Sequence, residues 1–327
     1  LIAVVGGAGY IGSHTVKYLI EQDEQVVVFD NLSTGHRECV PVELPFVKGD
    51  LASIENLHNF FAQYPNIHTV IHFAAYAYVG ESVVEPAKYY RNNLINTVNL
   101  LDAMLAHNVK NIVFSSTCAT YGNPISLPIT EEHPQKPINP YGRTKLMMEQ
   151  LMEDYSAAYG FNYAALRYFN AAGASEDSSI GEWHEPESHL IPLVLDVALE
   201  KSNSINVFGS DFDTPDGTCV RDYIHVTDLA DAHYKAAQYL MKERKNIKLN
   251  LANGEGYSNL EIIQMVEEVT GKQVTYQLTD RRPGDPGHLI GCADKAMEVI
   301  QWKPKYELKQ IIESAWKWHQ KKFGGTV

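Results

Sequence analysis

Basic residues are scarce. The 327-residue chain carries 27 Lys and Arg against 40 Asp and Glu, a formal net charge of −13. It therefore lacks the positive surplus on which sequence-independent nucleic-acid binding depends, although local donors could still hold a phosphorylated small molecule. Long apolar runs are also lacking. None exceeds seven residues, far short of the roughly 20 needed to span a bilayer, so no membrane partner is expected. The apolar opening Leu1–Val5 is cut off by Gly6 and Gly7, and no signal peptide is expected there. Cysteine is rare, at positions 39, 118, 219 and 292 without a Cys-x-x-Cys pair, which excludes a disulfide scaffold. Gly at 22 and Pro at 15 give no disordered bias. What remains is a cytoplasmic globular protein of enzyme size. At roughly 150 residues per domain, the length suits two domains or one large α/β unit.

The first half alternates short β-branched runs with helical-period segments. Strands are expected at Ile2–Val5, Gln25–Asp30, Pro45–Val47, Thr69–His72, Asn111–Ser115 and Tyr163–Leu166. Helices are expected near Gly12–Glu21, Ile54–Phe61, Pro86–His107 and Tyr141–Tyr159. Such alternation, with continuous runs such as Val26-Val27-Val28-Phe29, marks a parallel sheet covered on both faces. Beyond residue 170 the pattern loosens into loops over 173–188 and 209–218, with helices near Leu190–Glu200, Thr227–Leu240, Leu260–Val269 and Leu308–His319. The reading is α/β: a Rossmann-type doubly wound domain over 1–170 and a smaller α/β domain over 171–327, parts of which return to the first.

The chain opens Val4-Val5-Gly6-Gly7-Ala8-Gly9-Tyr10-Ile11-Gly12. A glycine string alone is often just a turn. Here it leaves a buried-type strand and starts a helix, the context of a dinucleotide site in which backbone approaches a pyrophosphate at the helix N-terminus. Asp30 ends the second strand about 20 residues on, where a carboxylate accepts from an adenosine ribose diol and repels a 2′-phosphate, selecting NAD.

Tyr141 and Lys145 form Tyr-x-x-x-Lys. With 19 tyrosines and 19 lysines in 327 residues, chance alone supplies about one such match, so context must carry the argument. Asn139-Pro140 starts a helix, which puts the two side chains one turn apart on one face. A lysine beside a tyrosine favours phenolate, giving a base for a sugar hydroxyl. Phe114-Ser115-Ser116-Thr117 ends a strand, where ligands of parallel sheets gather.

These motifs, with Asp30-Asn31, Gly49-Asp50-Leu51, His72-Phe73-Ala74-Ala75, Gly80-Glu81-Ser82, Asn92-Asn93, Arg167-Tyr168-Phe169-Asn170, the run Gly217–Val226 and Arg281-Arg282-Pro283-Gly284-Asp285, are collinear over nearly the whole chain. In this the sequence resembles the extended short-chain dehydrogenase/reductase superfamily and, within it, the UDP-glucose (UDP-galactose) 4-epimerases. The resemblance implies reversible epimerisation at carbon 4 of a UDP-hexose with tightly held NAD. It implies Tyr141 as base, Thr117 on the reacting hydroxyl, and Lys145 on the nicotinamide ribose, lowering the Tyr141 pKa. For the cofactor it implies Gly6, Gly9, Tyr10, Ile11, Gly12, Asp30, Asn31, Asp50, Leu51, Phe73, Ala74, Ala75, Asn92, Ser115 and Phe169 besides Tyr141 and Lys145. For the UDP-sugar it implies Thr117, Asn170, Leu190, Asn206, Phe208, Arg221, Tyr223, Arg282, Asp285 and Leu289, the last walling the pocket around the sugar 2-substituent. Two of only eight arginines, Arg221 and Arg282, suit a diphosphate.

Two departures stand out: Ala77 replaces a lysine that some members carry, and Thr117 stands where Ser is also used. Cys118-Ala119 after Thr117 lacks the Asp-Glu pair of the nucleotide-sugar 4,6-dehydratases. No extra site for a uronate carboxylate is identifiable, and retention of Thr117, Tyr141 and Lys145 argues against an inactive NAD-sensing scaffold. His184-Glu185-Pro186-Glu187-Ser188-His189 superficially suggests a metal site, but Pro186 prevents a helix that would align the histidines. It is read as a loop over the substrate with no metal. The apolar cluster Met147, Met148, Leu151, Met152 and Tyr155 is read as a buried helix face which, with helix 86–107, could form a homodimer seam.

Overall fold

The computed structural model describes residues 1–282 and 284–324; Pro283 of the arginine-rich motif and the last three residues lie outside it. The six expected strands form, each end within two residues of its expected place: β1 (Ile2–Val5), β2 (Val26–Asp30), β3 (Phe46–Lys48), β4 (Thr69–His72), β5 (Asn111–Thr117) and β6 (Asn162–Tyr168). The later chain adds β7 (Asn170–Ala172), β8 (Ile205–Phe208), β9 (Val220–Arg221), β10 (Tyr223–His225) and β11 (Ile247–Leu251). Three further short strands are β12 (Tyr257–Ser258), β13 (Tyr276–Thr279) and β14 (His288–Leu289). The central sheet has seven strands in the order β11-β6-β5-β4-β1-β2-β3, all parallel, with Val4 opposite both Val28 and Ile71. This order reverses beside β1, which opens a crevice at the carboxyl ends of β1 and β4.

Helices cover both faces, which is why every residue of β1, β2 and β4 is buried. They are α1 (Tyr10–Glu21), α2 (Ile54–Gln63), α3 (Val79–Val84), α4 (Pro86–Tyr89), α5 (Asn96–Ala106) and α6 (Pro140–Tyr159), then α7 (Leu190–Ala198), α8 (Val226–Glu243), α9 (Asn259–Thr270), α10 (Asp294–Ile300) and α11 (Leu308–Phe323). One face packs Leu57, Phe60, Leu100, Met104, Met148 and Met152 from α2, α5 and α6. The other packs Val16 and Leu19 of α1 against Leu229, Ala232, Ala236 and Leu240 of α8. The chain after 170 thus supplies both α8 and the edge strand β11 to the central layer. A separate core forms from α7, α9 and α11 around Val194, Ile263 and Ile312.

Two expectations change in detail. The helix read over 86–107 is broken by a π-helical turn at Tyr90–Ile95, a one-residue widening of the kind found at functional sites. It places Asn92 on the cavity side, while Asn93 clamps the neighbouring loop. Its carbonyl accepts from the Tyr76 N–H (2.9 Å), and its amide donates to the Tyr76 carbonyl (3.0 Å) and the Thr144 hydroxyl (3.2 Å). In the apolar cluster of α6, Met148 and Met152 are buried as expected, but Met147 is exposed.

The sheet carries one buried ion pair. Arg167 on β6 and Glu149 on α6 are 2% and 1% exposed and joined by two parallel bonds of 3.0 and 2.7 Å. Removing one partner strands a charge, so Glu149→Gln should cost about 3–5 kcal/mol, while replacing both by Met should recover most of it. Urea unfolding midpoints of the three proteins check this.

Candidate active site

The carboxyl ends of the strands and segments of the chain after residue 180 line one cavity of about 740 Å³. Every candidate site residue named from the sequence lines it.

The glycine turn works by close approach. Gly6 has φ +80°, and a Cβ there would lie 2.5 Å from the Ala74 nitrogen; a Cβ on Gly12 would lie 2.1 Å from the Gly6 carbonyl oxygen. Only hydrogen fits at these positions, so α1 can start directly under the cavity. Gly9 is its N-cap and offers no side-chain cap, leaving the first N–H groups of the helix free for an anion. Asp30, 7% exposed, accepts from the Ala8 N–H (2.9 Å) and the Leu32 N–H (2.7 Å). Burial raises its pKa against those two bonds. Each oxygen keeps a lone pair free for a diol. Asn31 donates to Asp50 (3.1 Å), whose other oxygen takes the Ala52 N–H (2.8 Å). This fixes the far end of the cleft with Leu51. The residues fit an NAD-type dinucleotide.

Across the sheet, α6 begins with the Asn139 side chain accepting from the Gly142 N–H (2.8 Å) and with Pro140 in its first turn. Tyr141, Lys145 and Glu149 then follow at four-residue intervals along one face. Lys145 is buried, with Nζ donating to the Ser115 carbonyl (2.8 Å) and lying 4.9 Å from the Phe114 ring centroid. The Thr117 hydroxyl caps the following turn by accepting from the Ala119 N–H (3.1 Å). Electrostatics here differ from the expectation that Lys145 lowers the tyrosine pKa. Burial pushes Tyr141 up to about 12, opposed by the Thr117 hydroxyl, and it pushes Lys145 down to about 7, opposed by Glu149. In the polypeptide alone desolvation shifts both groups toward their neutral forms, outweighing the opposing contribution of Thr117 on Tyr141 and of Glu149 on Lys145.

The opposite wall comes from the later chain. Arg221 ends β9 and is held by the Val220 and Gly287 carbonyls (2.9 and 3.3 Å). Arg282 pairs with Asp285 (2.9 Å), while its neighbour Arg281 turns to Asp211 at the rim (2.6 Å). Asn170 donates to the Asp222 carbonyl (3.0 Å). Asp222 gathers the N–H groups of Asn253, Gly254 and Gly291 (2.8, 3.0 and 3.3 Å), and burial raises its pKa to about 7. Leu289, 8% exposed, packs with Phe169 and Cys118, and its strand lies beside Arg221. Leu190 opens α7, with Asn206 and Phe208 on β8 and Tyr223 on β10 alongside.

Sequence reasoning missed several wall residues. Tyr168 meets Ser115 hydroxyl to hydroxyl; it stood inside the quoted Arg167–Asn170 motif but gave no signal of its own. Tyr78 and Glu182 also line the cavity, while the loop read over the substrate does reach it through His184, Pro186, Ser188 and His189. Pro186 does keep that loop from being helical, yet His184 and His189 come together, ring centroids 5.1 Å apart. Glu182 and Glu187 lie against His189 at 2.9 and 3.1 Å. Against the cost of burial, these carboxylates push His189 up to about 10.

Among known proteins, residues 2–252 match the NAD dependent epimerase/dehydratase family. A UDP-glucose 4-epimerase of Halalkalibacterium halodurans is 51% identical over 98% of this chain and 95% of its own. The crystal structure of UDP-glucose 4-epimerase from Brucella ovis in complex with NAD superposes with a TM-score of 0.93 at 49% identity, covering 97% of each chain. That from Bifidobacterium longum in complex with NAD+ and UDP gives 0.94 at 38% identity, covering 99% of each. With that family match over residues 2–252 and identities of about half over nearly the whole chain, the chain belongs to the NAD dependent epimerase/dehydratase family and, within it, to the UDP-glucose 4-epimerases.

Proposed function

We propose that this chain interconverts UDP-glucose and UDP-galactose by inverting carbon 4 through a transient 4-keto sugar, with NAD as a resident cofactor. One observation carries the reading: Tyr141, the bare N-terminus of α1, and Arg221 and Arg282 all face a single cavity. Bound NAD supplies the two-electron acceptor and donor for the sugar carbon and ends each turnover as it began. The chain does the rest. Tyr141 takes the proton of the 4-hydroxyl and returns it after the keto sugar has presented its other face. Thr117 hydrogen-bonds the same hydroxyl. Lys145 holds the nicotinamide ribose, and its charge, when present, favours the phenolate.

Gly6, Gly9, Tyr10, Ile11 and Gly12 cradle the pyrophosphate, with Asn92 and Phe73–Ala75 behind it. Asp30 and Asn31 hold the adenosine ribose and Asp50 and Leu51 the adenine, while Ser115 and Phe169 flank the nicotinamide. Arg221 and Arg282 clamp the UDP diphosphate, Asp285 orients Arg282, and Asn170, Leu190, Asn206, Phe208 and Tyr223 seat the rest of the UDP-sugar. On this reading residues 1–170, completed by α8 and β11, hold the cofactor, and most of 171–327 holds the sugar nucleotide. Exposed Ile95 and Met147 on neighbouring helices support a homodimer seam there. The free thiols of Cys39, Cys118, Cys219 and Cys292 fit a cytoplasmic setting. Among the described residues no helix is long and apolar enough to cross a membrane.

Release of the cofactor in mid-cycle would strand the keto sugar. NAD should therefore co-purify, and denaturing the pure protein should liberate about one nucleotide per chain absorbing as NAD or NADH; an apoprotein active only with added NAD contradicts this. Tyr141→Phe should keep the fold and the bound nucleotide yet lose roughly two to four orders of magnitude in kcat. Because a nearby cation stabilises phenolate, Lys145→Met should raise the tyrosine pKa and move the acid limb of the kcat–pH profile to higher pH. Turnover rates across pH for the three proteins decide.

The wall at Leu289 sets substrate breadth. Leu fills part of the space a 2-acetamido group needs without the ring that would block it, and overpacking a closed pocket costs about 1–3 kcal/mol, roughly 10- to 200-fold in specificity. UDP-N-acetylgalactosamine should be a weak substrate, improved by Leu289→Ser and abolished by Leu289→Tyr. The kcat/KM ratio to UDP-galactose in the three proteins reads this out; a ratio indifferent to residue 289 places the wall elsewhere.

A further inference from the structure

The proposed reaction leaves one cluster in the cavity wall without a task. Residues 181–189 have no regular structure and cross between the two halves of the site. Trp183 stacks on His36, ring centroids 3.4 Å apart and planes 2° from parallel, with Lys322 3.5 Å from the indole centroid. The Tyr78 hydroxyl donates to the Pro186 carbonyl (3.4 Å). Between these fastenings Glu182, His184, Glu187 and His189 each turn one ligand-type atom inward, all within 4.8 Å of one another.

The four His–Glu spacings match the edges of a tetrahedral coordination shell. His184 Nδ1 lies 3.3 Å from Glu187 and 3.6 Å from Glu182, and His189 Nδ1 lies 2.9 Å from Glu182 and 3.1 Å from Glu187. Four ligands about 2.0–2.1 Å from a tetrahedral ion stand about 3.3 Å from one another. Glu182 is buried, His184 and Glu187 are partly so and His189 is exposed, so the group is anchored on a buried carboxylate, unlike a solvated acidic face. Two imidazoles beside two carboxylates suit zinc and its neighbours better than magnesium or calcium. The two carboxylate charges balance a divalent cation.

We propose that Glu182, His184, Glu187 and His189 form a tetrahedral site for a divalent transition-metal ion of the zinc type, a clasp that fastens the loop across the cofactor cleft. Four protein ligands leave no open position, so the ion is structural and takes no part in the chemistry. The absence of a helix, which counted against a metal in the sequence, is no obstacle: the loop brings the two histidines together, and Glu182, outside the His–His segment, supplies the fourth ligand. Only the placement over the cofactor rests on the proposed function. The site itself is independent of it and is tested without turnover.

The test uses the full chain with its bound nucleotide, stripped with EDTA and desalted, then titrated with ZnCl2 and, separately, with MgCl2. Metal content after desalting and the shift in Tm are recorded. The expected result is one zinc per chain, a higher Tm with zinc and no effect of magnesium. His184→Ala and His189→Ala should weaken zinc binding at least about 100-fold, beyond the 10–100-fold typical of outer-shell changes, and should lose the Tm shift. His184→Cys, which keeps a zinc ligand, should retain both even if the alanine variants fold poorly. Substoichiometric zinc in the parent, unchanged affinity in the alanine variants, loss of binding in His184→Cys or an equal response to magnesium overturns the proposal and leaves the four residues as an ion-pair network held by imidazole protons.

Discussion

The geometry of the site hangs on the buried pair of Arg167 and Glu149. Two parallel bonds join them, and the remaining capacity of each is spent on the elements around the reaction centre. Glu149 also accepts from the Ser116 hydroxyl, which sits between Ser115 and Thr117 at the end of β5. Arg167 also donates to the Tyr121 hydroxyl (2.9 Å), which in turn donates to Asn250 (2.6 Å) on β11. Glu149 lies one turn beyond Lys145, and Arg167 immediately precedes Tyr168, Phe169 and Asn170. A rigid bidentate pair thus fixes α6, β5, β6 and β11 relative to one another; Lys145 lies one turn and Tyr141 two turns from Glu149 along α6, and Thr117 is next to Ser116 on β5. The price is desolvation of two charges, which a pair of apolar residues would avoid; what the pair provides is one defined registry at the place where sub-ångström errors matter most.

The first half of the fold was legible because its signals are local. A continuous apolar strand, a glycine turn, a helix and an acid at the next strand end follow one another in sequence as they do in space, so Gly6–Gly12 and Asp30 could be placed by reading along the chain. The arginines are different: Arg221 and Arg282 became legible only through collinear resemblance, because β9 and β14, on which they depend, are two residues long and carry no periodicity. The insertion of β11 beside β6 was foreseen only as a general return of the later chain. Its run Ile247–Leu251 reads like any short strand, and what selects its partner is the edge of β6 left open opposite β5, a tertiary fact. The π-turn at Tyr90–Ile95 has no sequence signature either; it exists because Asn93 must reach Tyr76 and Thr144 while Asn92 faces the cavity. The loop 181–189 was judged by helical spacing alone, and helical spacing says nothing about side chains that a folded loop brings together.

One disagreement between sequence and structure is instructive about the chemistry. Read along α6, a lysine one turn from a tyrosine argues for phenolate. In the fold, burial acts on both groups and moves their pKa values toward the neutral forms, to about 12 for Tyr141 and about 7 for Lys145. Between those values neither is charged. Each ionisation is disfavoured separately by loss of water, but the two charged forms attract each other, so the pair gains more by ionising together than the sum of the single steps. A site built in this way is quiet until other charges enter the cavity. Anionic phosphates favour the ammonium of Lys145, a cationic ring favours the phenolate of Tyr141, and closing the cavity strengthens both effects by excluding water. On the proposed function, base strength is then coupled to assembly of the complete complex, and burial of Tyr141, which opposes ionisation in the polypeptide alone, would keep the residue from acting as a base before its substrate is in place.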